Sequence, residues 1–482
     1  MDLGDDLCLL SGTEQCRVIQ EKKISSRELV QAVLNRITEL NPILNAYCEV
    51  SKTALNEADA ADKAIFHGKA VGPLHGVPVM IKDLILTKDL RTTFGSSLFS
   101  DYIPDEDDVV VERLRHAGAI IIGKTNASEF GYSGVTDNHL FGQTSNPWNI
   151  NRTAGGSSGG SGAAIAAGMG SFALGSDGGG SVRQPASFNG VYGIKPTFGL
   201  VPVYPSCRDP RIPGGSSWES LECIGPMTRT VEDSALLLSV IAGEDLRDRH
   251  SLPGKNYDFN QNLQVGIYGL KIAWSPNWGY ASVDPEVRQI LEKAVRVFST
   301  ELGCHVEEAN PGFNNPATAF SSIIANESDL STLRKLNKEQ PGLFSQALVS
   351  ILETEWTAED FSNSIMERQT VYNKMRIFMD NYDLIITPTM PCTAFELGQH
   401  TPSDIAGKTN LEELNDVLAF TFPINMTGQP AASIPVGFTK EGLPVGLQII
   451  GRRFDDATVL QASAAFEKVR PWKNKWPSIA EK

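Results

Sequence analysis

Apolar residues at Leu29, Val30, Val33, Leu34, Ile37 and Leu40 recur at helical spacing behind a Ser25 and Glu28 capping box, so a helix is expected from about 26 until Asn41-Pro42. The pattern then changes. Continuous apolar runs at 77–81 and 119–122 read as buried strands, and the stretch 107–116 between them reads as a helix. Strand, helix and strand in that order suggest a parallel crossover. The alternation returns further on, with strands at 270–274, 383–387, 431–436 and 445–450 and helices at 285–302 and 457–469. Residues 202–215, rich in Pro, Gly and Arg, follow neither period and read as a loop. The chain is expected to be α/β, with residues 1–70 a helical flank packed on an α/β domain at 71–482, the two forming one compact unit.

Charge and cysteine usage narrow the partners. A net charge of -15 over 482 residues leaves no basic stripe for nucleic acid and fits a solvated acidic surface. The seven cysteines are scattered, with no Cys-x-x-Cys and no His-Glu-x-x-His, so neither a disulfide framework nor a metal site is expected, and no cofactor. The opening Met-Asp-Leu-Gly-Asp-Asp is acidic where a signal peptide is basic, and no apolar run reaches spanning length. A cytoplasmic protein without a membrane partner is the simplest reading. A homodimer is left open.

Candidate chemistry sits in two glycine nests, Gly155-Gly-Ser-Ser-Gly-Gly-Ser-Gly and Gly175-Ser-Asp-Gly-Gly-Gly-Ser, each presenting a serine. Successive amides in such nests bind anions, and in acyl transfer they hold the tetrahedral oxyanion. A serine nucleophile needs a base. None of the seven histidines sits in a catalytic motif; His75 and His139 lie in the more suggestive segments, and a structural role fits each. Lys82 is the other option, because it directly follows the apolar run 77–81; a strand-end pair with Asp83 is the plain alternative. To act as a base at neutral pH its pKa must fall from about 10.4 to near 7, about 4 kcal/mol of differential destabilisation of the ammonium. Burial supplies shifts of that size. Lys124 and Lys195 read as structural lysines at a strand end or turn.

Five segments together resemble the amidase signature family: Gly76-Val-Pro-Val-Met-Ile-Lys-Asp, the two nests, the latter continuing Val-Arg-Gln-Pro-Ala, Gly193-Ile-Lys-Pro-Thr-Phe-Gly, and Gly225-Pro-Met-Thr-Arg. The likeness is strongest over 73–233 and continues more weakly to Pro423-Ile-Asn-Met-Thr-Gly-Gln-Pro-Ala and the closing helix. It implies an α/β fold whose large mixed sheet is covered by helices on both faces, and a Ser-cisSer-Lys mechanism. Ser181 then matches the nucleophile, Ser157 the bridging serine reached through a cis peptide from Gly156, and Lys82 the base. The amides of Gly178, Gly179, Gly180 and Ser181 become the oxyanion candidates, Asp177 and Arg183 their scaffold, and Ser158 and Ser176 nearby hydrogen-bonding hydroxyls. The loop carrying Gly131, Tyr132 and Ser133 is expected to line the acyl side, with Trp218, Phe141 and 424–426 completing an apolar pocket.

The implied reaction is hydrolysis of a small-molecule amide, arylamide, carbamate or ester. Two alternatives stay open. One is the glutaminase component of a tRNA-dependent amidotransferase, from which the stretch 204–223 departs in length. The other is a catalytically silent binding protein, against which stands the joint presence of Lys82, Ser157 and Ser181.

Overall fold

The apolar run that ends at Lys82 is the strand Pro78–Lys82, buried at every position, in a computed structural model that describes residues 7–69, 71–205, 218–254 and 257–481. Its neighbours, Ile120–Thr125 and Phe172–Asp177, both run parallel to it. The helix Val109–His116 lies in the first crossover, capped by Asp108, which accepts from the Val110 amide at 3.1 Å.

Among the described residues these strands belong to an eleven-stranded sheet. Its order is Tyr47–Val50, Ile120–Thr125, Pro78–Lys82, Phe172–Asp177, Cys223–Thr228, Tyr192–Lys195, Ala431–Phe438, Pro444–Gly451, Leu384–Pro388, Lys271–Trp274 and His305–Glu308. Pairing is antiparallel from Phe172–Asp177 through Leu384–Pro388 and parallel on either side, apart from the antiparallel edge strand Tyr47–Val50. Helices cover both faces. Side chains alternate faces along a strand; a Cβ at Gly446 would meet Ser187 of the helix Arg183–Asn189, while one at Gly451 would meet Val459 of the closing helix Asp456–Val469.

Two expectations change. The helix expected from about 26 runs Ser26–Leu44, straight through Pro42. Proline removes one amide but does not end this helix, because Asn45 closes it in the left-handed conformation, its amide donating to Asn41 O at 2.8 Å. Asn41 Oδ1 also accepts from the amides of Ala46 and Tyr47 at 2.9 and 2.7 Å, which turns the chain into an edge strand. The N-terminal flank is therefore partly sheet. The second change is in the middle of the sheet, where Phe172–Asp177, Tyr192–Lys195 and Cys223–Thr228 carry glycines and Pro226 that mute a strand signal. Pro226 is accommodated because the ladder with Tyr192–Lys195 stops at Met227. Of the loop expected at 202–215, residues 206–215 lie outside the described residues.

Two carboxylates join the chain's ends to its middle. Asp233, in the helix Val231–Ile241, accepts from the Gly12 and Thr13 amides that open the helix Gly12–Gln20, at 2.9 and 2.8 Å. Glu467, in the closing helix, accepts from the Val231 amide at 3.1 Å. Burial raises the Asp233 carboxyl to about 6 and that of Glu467 to about 7. Unfolded, both titrate near pH 4 (about 3.9 and 4.3 as free side chains), so the folded chain holds these protons more tightly. The stability they contribute is complete below about pH 4 and is lost as pH rises through 6 to 7. Glu467→Gln removes one titration, and the fall in melting temperature between pH 5 and pH 8 should be smaller in the variant than in the wild type by scanning calorimetry.

Candidate active site

Lys82 ends its strand with no exposed surface. The register pairs Ile81 with Leu174, so Lys82 comes level with Gly175, one residue before Ser176, at the carboxyl ends of parallel strands, the edge at which open α/β sheets hold ligands. Lys82 Nζ donates to Ser157 Oγ at 2.6 Å, to Ser176 Oγ at 3.0 Å and to Ser176 O at 3.2 Å. Asp83, next in the chain, accepts from the Thr93 amide and hydroxyl and stands 4.0 Å from Lys124. Lys124 is itself buried, and burial pushes its ammonium down to about 8 while Thr92 and the Ile85 carbonyl accept its protons.

The Gly156–Ser157 peptide is cis, and Ser157 stands just ahead of the helix Gly159–Ala166. The Ser158 amide donates to Ser181 O at 3.2 Å and its hydroxyl to Ser176 O at 3.3 Å. These two bonds draw three serine-bearing segments together. Ser157, Ser176, Gly178 and Ser181 border one small void of about 20 Å³, walled by Leu84, Phe94 and Phe130. Ser181, half-buried, also opens onto a cavity of about 780 Å³.

Asp177 shapes the loop before Ser181. Its carboxylate accepts from the Gly180 amide at 2.7 Å and the Val182 amide at 3.2 Å, and receives the Arg183 guanidinium at 2.8 and 2.9 Å. The remaining guanidinium protons go to Thr421 O, Gln448 Oε1 and Asn425 Oδ1. Burial alone raises the Asp177 carboxyl, yet Arg183, Lys195 and Asn425 outweigh it and hold the group well below the usual carboxylate range. One expectation is corrected here. The Gly180 amide is committed to Asp177, which turns it away from the oxyanion role expected of it. At Gly180, φ is +129° and a Cβ would collide with Thr421, so the turn requires glycine.

The large cavity carries an aromatic wall of Tyr132, Trp218, Phe320 and Trp356. Tyr132 and Trp218 meet edge to face with centroids 5.1 Å apart, and the Tyr132 and Ser328 hydroxyls share a hydrogen bond of 2.6 Å. Gly131 borders both spaces and Ser133 the larger one. Phe141 and 424–426 lie elsewhere: Phe141 packs under the Arg91 guanidinium, and Ile424, Asn425 and Met426 are buried behind the glycine loop. Their expected places are taken by Phe320, Trp356 and the segment 412–415, which no local period marks. His75 bonds the Ala61 carbonyl at 3.0 Å, a structural role.

The pattern of the amidase family matches residues 28–460. The chain belongs to the amidase signature family. This amidase is 41% identical over 478 residues to an acylamidase of Rhodococcus erythropolis, with 97% of each chain covered. It is 37% identical over 500 residues to the A subunit of the glutamyl-tRNA(Gln) amidotransferase of Moorella thermoacetica, covering 98% of this chain and 99% of the relative. A solved bacterial aryl acylamidase of the amidase signature family superposes with a TM-score of 0.89 at 33% identity, covering 98% of both chains. The amidase hydrolyses carbon–nitrogen bonds of amides. No helix among its described residues is long and apolar enough to cross a membrane.

Removing Asp177 strands a buried guanidinium, a change that typically costs about 3–5 kcal/mol. Asp177→Ala is therefore expected to lower the urea midpoint of the amidase sharply and to abolish amide hydrolysis, measured by equilibrium unfolding and by product release.

Proposed function

We propose that this amidase hydrolyses arylamides through an acyl-enzyme on Ser181, with Ser157 relaying protons to and from Lys82. The observation that carries the reading is the 2.6 Å contact between Lys82 Nζ and Ser157 Oγ at the border of the space that Ser181 also faces. A hydroxyl both donates and accepts, so the same contact serves either direction of transfer. With Lys82 neutral, Ser181 Oγ attacks the carbonyl carbon, its proton passes to Ser157 Oγ, and the Ser157 proton passes to Nζ. The oxyanion is held by amides of the Gly178, Gly179 and Ser181 turn, whose shape Asp177 sets. The relay then runs backwards: the ammonium returns a proton through Ser157 to the leaving nitrogen, the C–N bond breaks, and an ester remains on Ser181. Water attacks that ester and gives a proton to the same relay, which returns it to Ser181 Oγ as the acyl C–O bond breaks, releasing the carboxylic acid and free Ser181.

Lys82 is well suited to this traffic. Its contacts with oxygens of Ser157 and Ser176 orient the amine while leaving proton exchange with Ser157 direct. Ser176 thus serves as a positioning residue for the base. The aromatic wall supports arylamides over small aliphatic amides, since aryl groups gain both burial and edge-to-face contact there. Carbamates and esters pass through the same tetrahedral intermediate and are proposed as further substrates. A glutaminase role, suggested by the likeness to the amidotransferase relative, is the second reading.

Release of 4-nitroaniline from 4-nitroacetanilide tests the assignment. Lys82→Ala should lower kcat by about 10²–10⁴-fold, the usual worth of a general base. Ser181→Ala should lose both turnover and labelling by a fluorophosphonate, and an active Ser181→Ala variant refutes the nucleophile. Ammonia release from L-glutamine without anilide hydrolysis transfers the reading to the glutaminase.

A further inference from the structure

The wall of the large cavity carries a carboxylate that the mechanism does not use. Glu413 lies in the short helical turn Glu413–Val417, where it borders the same space as Ser181. Its Oε1 accepts from the Gly134 amide and from Ser133 Oγ, the latter at 3.4 Å. Ser133 Oγ is also 3.4 Å from His400 Nδ1, and the Gly134 carbonyl accepts from Gln184 Nε2 at 2.7 Å. This places Glu413 at one end of a four-residue ruler. At the other end, a Cβ on Gly131 would stand 3.4 Å from Ser157 Oγ. Consecutive Cα atoms are about 3.8 Å apart, so the backbone between Gly131 and Gly134 spans at most about 11 Å. A substrate whose carbonyl sits at Ser181 and whose far end follows this loop brings that end to Glu413.

We propose that Glu413 is a specificity-determining residue of the amidase: its carboxylate recognises a cationic or hydrogen-bond-donating group at the far end of the substrate and disfavours an anionic one. The physical reason is desolvation. The Glu413 side chain is half-buried, so its carboxylate is partly stripped of water; two hydrogen-bond donors replace only part of that hydration, and a ligand cation restores the balance. Consistently, burial raises the Glu413 carboxyl above its ordinary range, opposed by the Gly134 amide, His400 and Ser133. The neighbouring Glu412 borders the same cavity and adds to the negative potential there. An anionic group meets repulsion from both, which makes the discrimination one of charge and not of size.

The inference rests on the reading that arylamides enter this cavity, and one set of substrates separates the two. Two matched series are assayed at pH 8.5 and low ionic strength. In one, 4-nitroanilides carry acyl chains ending in trimethylammonium, tert-butyl or carboxylate; in the other, acetanilides carry the same three groups on the ring. In at least one series the wild-type kcat/KM for the cationic member should exceed that for the anionic member at least tenfold, mainly through KM, and the ratio should shrink in added salt. Glu413→Gln keeps an acceptor for the Gly134 amide and removes the charge, so the ratio should fall at least fivefold. Hydrolysis of the neutral members with a cation-to-anion ratio near or below one in both series overturns this inference alone. Hydrolysis of no member overturns the arylamide reading with it. A ratio that persists unchanged in Glu413→Gln also overturns the assignment, and if that variant does not fold, the wild-type ratio decides by itself.

Discussion

The buried ion pair of Asp177 and Arg183 is the contact on which the catalytic architecture depends. A carboxylate with no exposed surface is tolerated only when its acceptors are filled, and here they are filled by a bidentate guanidinium and by the amides of Gly180 and Val182, on either side of Ser181. The pair therefore converts a flexible glycine run into a fixed turn. The guanidinium in turn reaches Thr421, Asn425 and Gln448, so a helix and a strand from the last quarter of the chain are tied to the loop. Distant parts of the sequence meet because one charge must be satisfied.

Lysine burial is used in two different ways. Lys124 is surrounded by a carboxylate, a carbonyl and threonine hydroxyls, and it ties the first parallel strands to the turn after Lys82. Lys82 is met by serine oxygens, with one hydroxyl drawn from each glycine nest. Hydroxyls accept a proton bond and can also give one up; Lys124 meets hydroxyls too, and it is the Asp83 carboxylate beside it that favours a static cation. The difference lies in the neighbours, since the two side chains are equally buried.

The cavity adds a second layer of control. Ser181 stands between a small apolar void and a much larger aromatic space, and Gly131 borders both. Ser157 and Ser181, the serines of the proposed relay, come from one continuous stretch of chain, whereas Phe320, Trp356 and Glu413 arrive from helices and turns far beyond it. On the proposed mechanism, chemistry and selectivity are thus built from different regions of the chain.

Much of this was legible in the chain itself. The uninterrupted apolar run before Lys82 announced a buried strand, because a parallel strand inside a covered sheet hides both of its faces. The glycine nests announced tight turns presenting Ser157 and Ser181, because successive glycines permit backbone conformations that side chains forbid. The central strands around Gly175, Gly193 and Gly225 stayed silent, since their stability comes from neighbours on both sides and not from local propensity. Only the tertiary structure decided that the Gly180 amide belongs to Asp177, that Phe141 lies away from the cavity, and that Glu413 stands on its wall. Local pattern reports what a segment can bury; which charge meets which donor depends on contacts across hundreds of residues, and those are set by packing.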